Sequence, residues 1–142
     1  MASSEQRVRH FQEELEQLKA RLLEMGGLAE EQVRLAVKGL VDRDRDLVAR
    51  VLTGDGPLNA LHIEVDSRCF RLLALYQPMA VDLRSIVAAV KINTDLERVG
   101  DLAINIAEAA HLEQSRFEML ELVLKMADAL FGGRHQPNLP VT

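Results

Sequence analysis

Two carboxylates four residues apart, Glu97 and Asp101, are the residues here whose type and spacing most suggest chemistry. On a helix of 3.6 residues per turn they stack on one face. Like charges at that spacing repel by a few tenths of a kcal/mol on an exposed helix, and a bound cation reverses that sign. With Asn93 and Asn105 one turn away on either side, and Glu108 further along, they form an all-oxygen surface suited to magnesium, manganese, calcium or iron. Gly100 lies between the acids, where its missing side chain lets an ion or another helix approach closely. The plainer reading is a solvated helix face, on which acidic pairs at this spacing are common.

Other candidates are thinner. Glu108-Ala109-Ala110-His111 has the Glu-x-x-His spacing of di-iron bundles, but the sequence holds no second copy of it. His62 could be a phosphoacceptor on a bundle helix, yet its setting reads first as a partly exposed helix residue. Cys69 is the sole cysteine and sits on an apolar stripe. It therefore reads as a buried thiol and excludes an internal disulfide. No glycine-rich phosphate loop, nucleophile elbow or Cys/His pair appears, so the reading is not of an enzyme.

The elements that must position these residues are helical. Only 4% of residues are aromatic, so Leu and Ala carry the apolar content and favour helices over sheets. All four prolines fall at Pro57, Pro78, Pro137 and Pro140, leaving long gaps open for helices. The apolar stripe Val8, Phe11, Leu15, Leu18, Leu22, Met25, Ala29, Val33, Ala36, Leu40 predicts a first helix of about 35–38 residues, starting near Ser3 or Ser4. Asp42-Arg43-Asp44 reads as a turn and cap, followed by a short helix that Thr53-Gly54-Asp55-Gly56-Pro57 ends. A helix over 58–76 carries Leu61, Val65, Cys69, Leu72 and Tyr76 on one side. The third long helix, over 79–112, shows two stripes. One is apolar: Ile92, Leu96, Val99, Ala103, Ile106, Ala110. The other starts as Leu83, Ile86, Val90 and turns polar as Asn93, Glu97, Asp101, Asn105, Glu108. Gln114-Ser115-Arg116 reads as a break with Ser115 as N-cap. A fourth helix over 116–131 follows, apolar on more than one side, and 132–142 reads as a disordered tail.

The expected fold is all-α: an antiparallel three-helix bundle over 1–113, its second helix broken, plus a partial fourth helix over 114–131. A net charge of −5 argues against a broad nucleic-acid-binding face. The opening residues lack an apolar signal region, and no apolar run approaches the roughly 20 residues of a membrane span, so the reading is soluble and intracellular.

The stretch Leu73-Ala74-Leu75-Tyr76-Gln77-Pro78-Met79-Ala80-Val81-Asp82-Leu83-Arg84, then Lys91-Ile92, then Asp95-Leu96-Glu97-Arg98-Val99-Gly100-Asp101-Leu102-Ala103-Ile104-Asn105-Ile106-Ala107-Glu108, resembles the PhoU family. The opening, His10-Phe11 and Met25-Gly26-Gly27, fits as well, so the resemblance spans about residues 8–128. It implies a cytoplasmic regulator of bacterial phosphate uptake and phosphate-starvation signalling that acts by contact and not by catalysis. The implied partners are the phosphate ABC transporter's ATPase subunit and a phosphate-sensing histidine kinase, reached at the inner face of the membrane. The family's Glu/Asp-x-x-x-Asp metal motif matches Glu97 and Asp101, with Asn93, Asn105 and Glu108 as weaker carry-overs and Fe, Mn or Mg as the metal. The family carries two three-helix repeats, so the resemblance covers one complete repeat and the start of a second, which a homodimer would rebuild. Two other readings stand beside it: a metal-binding bundle of storage or redox type, and a non-catalytic helical scaffold.

Overall fold

The computed structural model describes residues 3–131 of the chain. The tail over 132–142, expected to be disordered, lies outside the described residues. Four α-helices account for nearly all of what is described: α1 (Ser4–Val41), α2 (Arg45–Thr53), α3 (Gly56–Tyr76) and α4 (Ala80–Phe131).

The joints form for local reasons. Ser3 caps α1 through a reciprocal box in which its hydroxyl accepts from the Gln6 N–H and the Gln6 side chain accepts from the Ser3 N–H. The Asp44 carboxylate accepts from the N–H groups of Asp46 and Leu47 and so starts α2. Pro57 occupies the first turn of α3, where its missing N–H costs nothing. Gln77 ends α3 in the left-handed region at φ 48°, and Pro78 beyond it cannot continue the helix. The glycine pair in α1 does not stop that helix, which runs on for 38 residues.

Packing follows the order α1, then the broken column of α2 and α3, then α4. The start of α1 meets the end of α3 and the start of α4 in a cluster of Phe11, Leu15, Leu18, Val65, Cys69, Leu72, Ile86 and Ala89. Met25 and Ala29 meet Leu58 and Leu61 at mid-height. Leu35 and Ala36 meet Val48 and Val51 of α2 and Ala103, Ala107 and Ala110 of α4 at the far end. So α1 and α4 run parallel, and the α2–α3 column runs against both. This is the all-α three-helix bundle with a broken second member that the periodicity predicts. Polar contacts clamp α1 to α3: Glu14 lies 3.3 Å from Arg71, and Arg7 donates to the Leu75 carbonyl at 2.9 Å.

Three expectations are corrected. First, no break occurs at Gln114-Ser115-Arg116: α4 is one helix of 52 residues, about 78 Å long. Ser115 is not a cap but sits mid-helix, its hydroxyl donating to the His111 carbonyl at 3.0 Å. None of the three residues breaks a helix by propensity, and no proline lies nearby. The partial fourth helix over 116–131 is therefore the continuation of the third long one. Second, the buried seam of α4 is Ile86, Ala89, Asn93, Gly100, Ala103, Ala107, Ala110 and Gln114, while Ile92 is exposed. The seam is chosen by small residues that let helices approach, not by the largest apolar ones. Third, Val8 and Leu40, at the two ends of the α1 stripe, are exposed, since the buried face of the helix runs only from Phe11 to Gly39.

Candidate functional site on the fourth helix

The polar stripe begins inside the bundle and winds out of it. Asn93 is buried, 1% exposed, and its Nδ2 donates to the His62 carbonyl on α3 at 3.1 Å. Its Oδ1 is buried without a partner, as is Nδ1 of the half-buried His62. Each i+4 step on a helix advances about 40° around the axis beyond a full turn. Glu97 is accordingly half-buried, and Asp101 and Asn105 are fully on the surface. Glu108 is also exposed. Among the described residues, the side chains of Glu97, Asp101, Asn105 and Glu108 make no hydrogen bond or ion pair, and Arg98 neutralises neither acid by direct pairing. No three His, Cys, Asp or Glu side chains converge on one point among the described residues.

As a cation site the stripe is thus an open half. Glu97 and Asp101, one turn apart, can offer two carboxylates from one side, and the inward edge adds the unpaired amide oxygen of Asn93. Asn105 faces outward a turn beyond Asp101. Glu108 is seven residues from Asp101, about 10 Å along the axis, and cannot share a single ion with it.

Gly100 has a packing explanation. A Cβ there would lie 2.1 Å from Cδ2 of Leu58, a residue 1% exposed in the first turn of α3. The missing side chain admits a helix, and the approach of α3 beside Glu97 and Asp101 depends on it. Gly39 does the same for α2, where a Cβ would lie 2.9 Å from Cγ2 of Val48.

The remaining candidates resolve simply. Cys69 is fully buried, and burial, with Asp66 nearby, pushes its thiol up to about 11. Glu108 and His111 both lie on the outside of α4 and do not project into the bundle as a di-iron motif requires. The Asn93–His62 contact is the feature that sequence reading missed. Its signal was present: Asn93 continues the apolar phase of Ile86 and Val90, and a polar residue in that phase must find a partner across the helix interface.

Residues 22–110 match the family model described as PhoU domain, a span that contains α4's whole polar stripe. The chain belongs to the PhoU family. It is 47% identical over 107 residues to a phosphate-specific transport system accessory protein PhoU homolog of Caulobacter vibrioides, covering 75% of this chain and 46% of that protein. It is 36% identical over 125 residues to the PhoU accessory protein of Serratia marcescens, covering 88% of this chain and 50% of that one. The crystal structure of PhoU from Pseudomonas aeruginosa superposes with a TM-score of 0.73 at 42% identity, over 75% of this chain and 51% of that chain. The chain spans about half the length of the curated relatives it matches. Among the described residues, no helix is long and apolar enough to cross a membrane.

Proposed function

We propose that this chain is a PhoU-type regulator of phosphate uptake and phosphate-starvation signalling, working by contact in the cytoplasm. Its partners in this reading are the ATPase subunit of the phosphate ABC transporter and a phosphate-sensing histidine kinase. The observation that carries the reading is the family match over 22–110, together with the accessory role in phosphate-specific transport named for relatives as much as 47% identical.

Glu97 and Asp101 would hold a divalent cation or iron, with Asn93 and Asn105 as outlying oxygen donors; Glu108, expected from the resemblance to join them, lies too far along the helix to share that ion. The metal would supply positive charge on an otherwise acidic face; the remaining positions in its shell would come from water or a partner surface. The ordinary test is pull-down of the transporter's ATPase subunit by the tagged chain, with and without phosphate and with added iron or manganese. Retention of the subunit supports the reading, and failure under every condition overturns it. Metal content of the purified chain tests the site separately: Glu97→Ala with Asp101→Ala should abolish bound metal, and unchanged content removes the assignment.

A further inference from the structure

We propose that the turn between α1 and α2, together with α4, forms a nucleotide-binding site built on Gln114, Arg43 and Phe117. The site is separate from the acidic stripe and needs nothing from the phosphate reading. Gln114 is 9% exposed, and its Nε2 and Oε1 are both buried with no hydrogen-bond partner among the described residues. Because α4 continues through Ser115, Gln114 falls on the buried face of Ala103, Ala107 and Ala110, one turn beyond the last of them. Native proteins seldom bury an amide with both atoms unpaired unless a bound group satisfies it.

Gln114 lines a cavity of about 340 Å³ with Leu40, Arg43, Ala110, Glu113 and Phe117. That volume lies within the range of small-molecule sites. The Arg43 guanidinium sits 4.4 Å from the centre of the Phe117 ring. A guanidinium held over a ring face keeps its in-plane N–H groups available. Among the described residues, those of Arg43 make no ion pair or hydrogen bond, unlike its neighbours Asp42 and Arg45. Arg43 holds this place from a left-handed backbone at φ 53°, just past the end of α1, where glycine is the usual residue. Glu113, the one acid of the cavity, is paired with Arg116 at 3.4 Å. The cavity therefore keeps a positive charge in a chain of net charge −5.

These three groups select the ligand class. The amide calls for an edge that carries a donor beside an acceptor, as nucleobases do. The Phe117 ring, 49% exposed, offers a flat apolar surface for stacking. The free N–H groups of Arg43 suit an oxyanion. A nucleotide supplies all three, with its base against Gln114 and Phe117 and its phosphate at Arg43. A bare oxyanion would leave the amide unpaired, and an uncharged base would leave Arg43 unused. Every base presents a donor next to an acceptor, so the geometry names the class, and the arms of the test name the base.

Isothermal titration calorimetry of the chain with ADP, GDP and UDP is the direct measurement, in EDTA to keep cations off the acidic stripe. The expected result is saturable binding of at least one of the three below about 1 mM. Gln114→Leu should weaken it by about tenfold or more, with helical circular dichroism kept and the thermal midpoint kept or raised, since two unpaired polar atoms give way to methyl groups. Arg43→Gly, which suits the left-handed backbone, should lower the diphosphate to the affinity of its nucleoside. Phe117→Leu, on a half-exposed side chain, should weaken binding as well and carries the test should Gln114→Leu fail to fold. No saturable binding of any of the three overturns the proposal and leaves ordered water as the partner of Gln114. So does binding that is unchanged in Gln114→Leu, or in Phe117→Leu. Pyrophosphate that binds as tightly as the diphosphates also overturns it, since the site would then read charge alone.

Discussion

The two parts of α4 make opposite use of the same helical geometry. From Ile86 to Gln114 the helix buries a narrow face built largely of alanine and glycine against three other helices. From Phe117 to Phe131 it carries larger apolar side chains, and nearly all of them are exposed. Small residues are buried where backbones meet closely, and large ones are displayed where no backbone is near. Side-chain hydrophobicity alone thus ranks the two parts in the wrong order for burial. What separates them is the presence of α1, α2 and α3 along one side of the packed part; beyond Gln114 apolar residues run most of the way round the helix, and of these only Phe117 meets the bundle, under the Arg43 guanidinium at 4.4 Å.

The contrast can be broken by mutation. Truncation should be costly in the packed part and nearly silent in the open one: Ile86→Ala should lower stability by about 2–5 kcal/mol, whereas Leu124→Ala should stay within about 0.5 kcal/mol in dilute solution. Denaturant unfolding at low protein concentration measures both, and equal losses would mean that the end of α4 is covered. Gly100→Val should cost about 1–3 kcal/mol, because the added carbons enter the space of Leu58. A β-branched residue on the exposed part of α4 should cost only its small helix-propensity difference.

Cys69 sharpens the comparison through pH. Its thiol is pushed up to about 11 from an ordinary value of 9.0, so the folded chain holds the proton where the unfolded chain releases it. Stability is then fully present below pH 9 and falls as pH rises towards 11, by on the order of 2 kcal/mol. Cys69→Ala should flatten that slope in urea titrations at several pH values. In native buffer, a thiol reagent should label Leu124→Cys quickly and leave Cys69 intact.

A small effect is expected at Asn93 as well, although it is buried. Replacing it with leucine removes one hydrogen bond to His62 but also a buried, unpaired oxygen, so stability should change by less than about 1 kcal/mol. A large loss in thermal unfolding would show that a bound group satisfies that oxygen in the native protein.

Much of this was legible in the sequence. The 3.6-residue stripes of α1 and α3, the Ser3 and Asp44 caps and the Gln77-Pro78 stop are short-range signals, each decided within a few residues of itself. The buried state of Cys69 followed from its phase on α3. The polar stripe was visible as a spacing, but its exposure was not. Whether Asn93 is enclosed while Asp101 meets solvent depends on where α3 crosses α4, which involves Leu58 and Gly100, 42 positions apart.

By itself, then, the sequence determined helix type, most helix ends and the family, because capping, proline placement and apolar period act locally. The tertiary structure decided three things: the continuity of α4 through Ser115, the choice of Gly100, Ala103, Ala107 and Ala110 as its seam, and the exposure of its last four turns. Those depend on how closely two backbones can approach, and that distance is set by side chains on different helices.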